Sequence, residues 1–169
     1  RMNLETYLAQ PIPVQPWLRK YFDTEAKLVI FDIGACEGEE SIRYSRLFPQ
    51  AEIYSFEPLK KNFQLATENF KRFNNTKSRL FNIALGDSNG ETSFYVSSGQ
   101  PNHVPSTGEW DYGNKSGSIL QPTEHTTKAY QWLSFAEGEK VALRRMDDFC
   151  AEQNVRHINF VHMDVQGAE

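Results

Sequence analysis

The feature that most constrains this chain is an apolar strand that ends in a glycine turn. Leu28 to Ile33 is a short apolar run with β-branched members, and Gly34 closes it. Such a run reads as a strand buried on both faces, as in a parallel sheet. Residues 39–48 follow as a helix that stops near Pro49. The unit then repeats. "EIYSFEP" is a second strand, Pro58 suits the first turn of a helix, and Leu59, Phe63, Ala66, Phe70 and Phe73 fall on one helical face. "SRLFNIALG" reads as a third strand with a turn at Asp87–Gly90, and "ETSFYV" as a fourth, antiparallel one. "VALRRMDDFCAEQNV" is strand then helix, and "HINFVHMDVQGAE" is a last parallel strand running into a glycine turn. Strand–helix alternation implies βαβ units and a doubly wound α/β sheet with helices on both faces.

Two segments lie outside this alternation. Residues 1–27 are helical in flavour, interrupted by Pro11, Pro13 and Pro16, with Trp17, Leu18, Tyr21 and Phe22 expected to cap a core. Residues 97–135, rich in Ser, Gly, Pro, Asn and Thr, read as an irregular insertion carrying Trp110, Tyr112, Tyr130 and Trp132. The domain proper is expected over 28–169. A chain of 169 residues fits one domain. A net charge of −4 with no basic run argues against a general grip on nucleic acid. No stretch is apolar enough to span a membrane, and residues 1–10 lack a hydrophobic signal core, so a cytoplasmic protein is expected. Cys36 and Cys150 share no metal-type spacing and read as reduced thiols.

Ligands of doubly wound sheets bind at the carboxyl ends of the strands. Asp32, Glu57, Asn82 and Asp164 each close an apolar strand there. The loop Asp32-Ile33-Gly34-Ala35-Cys36-Glu37-Gly38 places Gly34, Cys36 and Glu39 where the dinucleotide fingerprint needs three glycines, and it contains no Walker lysine. A pyrophosphate there would meet Glu37, Glu39 and Glu40. S-adenosylmethionine has no phosphate and carries a sulfonium and an ammonium, so the acidity favours it. Gly34 and Gly38 let the backbone come close to a ligand, and Asp32 can hold the ammonium directly or through water. Glu57 lies 19 residues after Gly38, a separation at which a strand-end carboxylate accepts both ribose hydroxyls. Ordinary helix capping and dipole roles remain open for these acids, above all Glu39 and Glu40.

The stretches "VIFDIGACEG…FPQAEIYSFEPLKKNF", "NIALGD…G" and "MDVQGAE" resemble the FkbM-type methyltransferases, over residues 28–96 and 141–169. The resemblance implies a Rossmann-like class I methyltransferase fold and methyl transfer from S-adenosyl-L-methionine to a hydroxyl oxygen, often of a sugar or polyketide. It implies cofactor contacts at Asp32, Gly34, Ala35, Gly38 and Glu57, with Ala84 and Leu85 beside the adenine. The chain departs from the family pattern at Cys36, usually Asn, and at Gln166, usually Glu; the second change removes a possible base or metal ligand. That fold's sheet runs 3-2-1-4-5-7-6. Only the 3-2-1-4 half is expected here, and an apolar strand ending at Asp164 would be an exposed edge, so the sheet is expected to continue past Glu169.

A sugar hydroxyl is a weak nucleophile and needs a base or a metal. His162 and Asp164 share a face of the last strand and are the candidate catalytic pair, a core histidine being the plainer alternative for His162. Asp164 with Glu169 offers hard oxygen ligands, too few to argue a metal site. His103 and His125 read as surface residues. Tyr and Trp of the insertion suit sugar rings, with Asn102, Asn114 and Lys115 as hydroxyl partners and the insertion as a lid. The expected partner is a small-molecule or glycan hydroxyl acceptor; the oligomeric state is left open. Competing readings are an N-methyltransferase, disfavoured because Asp164-Val165-Gln166-Gly167 stands where Asn/Asp-Pro-Pro-Tyr would, a catalytically inactive binding module, and last a dinucleotide oxidoreductase.

Overall fold

The computed structural model describes residues 3–102, 104, 111–136 and 138–169. Its centre is a parallel sheet of β1 (Val29–Ile33), β2 (Glu52–Phe56), β3 (Ser78–Phe81) and β9 (Phe160–Met163) in the order β3-β2-β1-β9. This is the 3-2-1-4 half of a Rossmann-like α/β sheet, as the strand–helix alternation requires. Ile30, Phe31, Asp32, Ile53, Ser55 and Phe56 are almost wholly buried, which accounts for the unbroken apolar runs of the two central strands. On the β9 edge, Val161 and Met163 turn outward while Phe160 and His162 turn in.

Helices α3 (Glu39–Leu47) and α4 (Lys60–Arg72) follow β1 and β2. Gly38 caps α3 in a left-handed conformation, and Pro58 stands just ahead of α4. The α4 stripe is confirmed in part. Ala66 and Phe70 are buried and Phe73 packs with Phe70, whereas Leu59 belongs to a separate cluster with Ala84, Phe94, Val141 and Leu143. Helices α1 (Leu4–Ala9) and α2 (Gln15–Tyr21) build the N-terminal segment. Of its expected capping residues, Leu18 is buried and Phe22 partly so, but Trp17 and Tyr21 are 62% and 69% exposed. A proline stands in the first turn of α2, and Leu18 is its buried residue.

On the other side, Phe149 of α6 (Met146–Glu152) meets Phe56 and Phe81 edge-on at 4.8 Å and Phe31 and Tyr54 at 6.0 Å. Edge-to-face packing of this kind adds to the area each ring buries.

Two strand assignments need correction. The third strand is not continuous over 78–86: β3 ends at Phe81, and β4 (Ala84–Gly86) pairs parallel with β8 (Lys140–Arg145) in a second sheet, order β4-β8-β5. The cause is Asn82, whose side-chain amide donates to the carbonyls of Glu57 and Pro58 at 2.9 Å each and turns the chain out of the main sheet. "ETSFYV" divides likewise: β5 (Gly90–Ser93) runs antiparallel to β8, and β6 (Val96–Gly99) pairs with β7 (Leu133–Ala136) in a two-stranded sheet. The insertion is therefore less irregular than its composition implies. It holds β7, a 3-10 turn at Gly113–Lys115 and α5 (Glu124–Ala129). No helix among the described residues is long and apolar enough to cross a membrane.

Candidate active site

The glycine turn lies over the carboxyl ends of the main sheet. Amides of Gly34 and Ala35 both donate to the Phe56 carbonyl, at 3.0 and 2.9 Å, which ties the turn to β2. Gly34 has φ +86°, and a Cβ there would overlap the carbonyl oxygen of Asp164. Gly38, at φ +80°, leaves room in the same way for the Phe70 ring. Gly34→Ala is expected to destabilise the fold by about 1–3 kcal/mol through backbone strain, read by chemical denaturation.

Glu57 follows β2, is buried, and spans the turn. Its Oε2 accepts from the Cys36 amide at 2.8 Å and its Oε1 from the Leu59 amide at 2.8 Å. Burial pushes its carboxyl up to about 8, against the pull of those two amides. It lines a cleft of about 620 Å³ of empty space, counting its open mouth, together with Gly34, Cys36, Ala84 and Leu85. Ile83, Phe94, Ile119 and Val165 add apolar walls, and Asn62, Asn114 and Lys115 polar ones. Asn62 donates to the Cys36 sulfur at 3.7 Å, while its own Oδ1 is buried and has no hydrogen-bond partner among the described residues. An apolar slot with a carboxylate and an unsatisfied amide oxygen suits a flat, hydrogen-bond-donating ligand. Sequence reasoning missed Asn62, although the signal existed: it is a polar residue four before Ala66 on the buried stripe of α4.

A second cavity adjoins the first, sharing Gly34, Cys36, Lys115 and Asp164 with it and adding Tyr7, Asp32, Ala35, Glu39, Glu40 and His162. Asp32 is fully buried; Ser41 donates to its Oδ2, and its Oδ1 lies 2.9 Å from Nδ1 of His162. Parallel pairing of β1 and β9 sets this contact, because Asp32 and His162 are register partners. Tyr44 packs edge-on against the imidazole at 5.7 Å. Burial works against a charged His162, but the hydrogen bond and the charge of Asp32 outweigh it, so its pKa is raised above the ordinary histidine value. Glu40 and Asp164 act in the same direction. A histidine whose folded pKa is raised adds stability below its unfolded pKa and loses it as pH rises through the folded value. His162→Gln is thus expected to lower the melting temperature most below the ordinary histidine pKa of about 6.5 and progressively less as pH rises above it, read by calorimetry across that range.

Asp164 is exposed, with its Oδ1 accepting from Gln166 at 2.5 Å. The tight turn places Gln166 and Gly167 at φ +56° and +95°. Among the described residues no three His, Cys, Asp or Glu gather as a metal site. Cys36 and Cys150 are free thiols. Glu40 accepts from Tyr7 at 2.6 Å and Arg43 at 2.7 Å.

Asn114 and Lys115 of the insertion line the cleft and also bond to the glycine turn. Asn114 donates to Glu37 at 2.8 Å, and Lys115 pairs with Glu39 and, at 3.6 Å, with Glu37. The insertion is thereby pinned onto the glycine turn. Tyr130 and Trp132 line a different cleft with Leu120, Thr126, Phe135 and Gln166. Tyr112 is half-buried beside the 3-10 turn and Asn102 is exposed, both apart from that cleft, and His125 is exposed. His103 and Trp110 lie outside the described residues.

A glycine turn between β1 and α3, with a buried carboxylate closing β2, is the arrangement of an α/β domain of the Rossmann-like class. Residues 32–169 match the Methyltransferase FkbM domain, and the chain belongs to that family. It is 38% identical over 141 residues to the 2-O-methyltransferase NoeI of Sinorhizobium fredii, covering 83% of this chain and 54% of NoeI. It is 26% identical over 155 residues to the AMB antimetabolite synthetase AmbE of Pseudomonas aeruginosa, covering 83% of this chain and 7% of that protein. The chain thus spans about half the length of one curated relative and a small part of the other. Among solved structures, the precorrin-6y C5,15-methyltransferase of Geobacter metallireducens is similar at 26% identity and a TM-score of 0.36, over 44% of this chain and 40% of that one.

Proposed function

We propose that the protein transfers a methyl group from S-adenosylmethionine to a hydroxyl oxygen of a sugar or related metabolite. The observation that carries the cofactor reading is Glu57, a buried carboxylate at the end of β2 facing an apolar cleft. There it accepts the ribose hydroxyls, with the base against Ile83, Ala84 and Leu85 and Asn62 Oδ1 as an acceptor for a ligand donor. Gly34, Ala35 and Gly38 keep the turn close to the ligand. The acidic second cavity, with Asp32, Glu39 and Asp164, favours the cationic arm of the cofactor. When bound, S-adenosylmethionine supplies a methyl already activated by its sulfonium, so the chain's task is alignment and proton removal.

His162 is the proposed base. Asp32 holds Nδ1, which orients the ring and favours the protonated form once a proton is taken. Asp164, at the rim of both cavities, positions the acceptor hydroxyl. The insertion excludes water. An oxygen acceptor is supported by the resemblance to a protein named a 2-O-methyltransferase. The absence of a basic stripe and the net charge of −4 favour a small molecule or glycan over nucleic acid. A cytoplasmic location is part of the same proposal.

The test incubates the full-length protein with methyl-deuterated cofactor and a panel of glycans, polyketides, amines and RNA. Deuterated methyl on a hydroxyl oxygen is the expected product. Label confined to nitrogen or to RNA would contradict the acceptor assignment.

A further inference from the structure

The two cavities over the sheet share four lining residues, Gly34, Cys36, Lys115 and Asp164, and one of the four comes from the insertion. Lys115 ends the 3-10 turn Gly113–Lys115 and lines both cavities. It is the only Lys or Arg among the described residues that line either one. Its position is built. Asp111 Oδ1 accepts from the amides of Gly113 and Asn114 at 3.0 and 3.2 Å, Ser97 Oγ accepts from the Ser116 amide at 3.0 Å, and Ser118 Oγ donates to the Val165 carbonyl at 3.1 Å.

A ligand whose nucleoside lies against Glu57 must send its amino-acid arm past Gly34 and Cys36 into the acidic second cavity. That arm carries an ammonium and a carboxylate. Asp32, Glu37, Glu39 and Asp164 suit the ammonium and would repel the carboxylate. Among the described residues, Lys115 is the one cation that lines both cavities. Lys115 is three-quarters buried there and held by Glu39 and Glu37, which leaves its ammonium fixed rather than free to reach solvent. Burial alone would disfavour its charge, but Glu39, Cys36 and Glu37 outweigh that, so the side chain stays cationic.

We infer that Lys115 receives the α-carboxylate of the cofactor's amino-acid arm, which makes the insertion a determinant of cofactor recognition. The inference rests on the cofactor reading above. It makes docking of the insertion and binding of the cofactor mutually favourable.

The test titrates S-adenosylmethionine and its decarboxylated form, which keeps the sulfonium and the ammonium, into the full-length protein. Wild type is expected to prefer the carboxylated ligand by roughly tenfold or more, the size of one charge-assisted hydrogen bond. Lys115→Gln is expected to lose that preference, weakening S-adenosylmethionine by roughly tenfold while leaving the decarboxylated ligand within about threefold. Lys115→Arg is expected to restore most of it. Equal wild-type affinity for the two ligands would overturn the inference without any variant. Equal weakening of both by Lys115→Gln would show that Lys115 only holds the insertion in place, and tightening of both would show that its ion pairs obstruct the cavities; either result overturns the inference. Failure of wild type to bind either ligand would instead remove the cofactor reading itself.

Discussion

Glu57→Ala is expected to weaken S-adenosylmethionine by at least about tenfold, measured by calorimetry on the full-length protein. Each charge-assisted bond to a ribose hydroxyl contributes roughly 1.5–3 kcal/mol, and alanine removes both. Alanine also strands the amides of Cys36 and Leu59, which Glu57 now satisfies. Glu57→Gln separates the two effects, since it keeps one acceptor oxygen and the shape of the side chain. The affinity should also depend on pH. Glu57 is held up at about 8 before ligand arrives, and hydroxyl donors favour its ionised form. Binding therefore releases a proton below that value, and affinity should rise from about pH 6.5 to about pH 9. Glu57→Gln should flatten the rise. Affinity that is unchanged in Glu57→Ala would remove Glu57 from the site.

Phe149→Ala is expected to cost about 3–5 kcal/mol of stability, by urea denaturation of the full-length protein. The ring is buried and packs against Phe31, Tyr54, Phe56 and Phe81, aromatic residues of three strands. Its loss leaves a cavity that the central strands cannot close, because both are fixed by parallel pairing. Phe149→Leu should recover a large part of the loss. An alanine variant within about 1 kcal/mol of wild type would show that α6 is not a structural face of this sheet.

How much of this was legible in the sequence depended on whether the signal was local. The β1 turn was readable because its glycines and its buried strand are adjacent in the chain, and Glu57 because a strand-end carboxylate at that separation has a geometric meaning. The Asp32–His162 contact was half legible. Parity put His162 and Asp164 on one face, but the pairing of β1 with β9 joins residues 130 apart, and Asp32 was read as a ligand group or a helix cap, not as a partner of His162. Asn82 was seen as a strand-end polar residue; that its amide would cap two carbonyls and divert the chain into a second sheet was not. Composition misled over 97–135, where Ser and Gly serve β6, β7 and a tight turn rather than an open loop. Lys115 was legible as a polar partner in the insertion, but its ion pairs had no local signal. Its partners Glu37 and Glu39 lie more than seventy residues earlier, and only the folded insertion brings them together.

The central claim is that S-adenosylmethionine lies across the turn with its ribose on Glu57. A crystal structure of the full-length protein with S-adenosylhomocysteine tests it most directly. The account predicts both ribose hydroxyls within hydrogen-bond distance of the Glu57 carboxylate, the base between Ile83 and Leu85 with a donor on Asn62 Oδ1, and the amino-acid arm running past Gly34 toward Asp32. A ligand bound elsewhere on the chain, or a ribose that leaves Glu57 bonded only to the amides of Cys36 and Leu59, would contradict it.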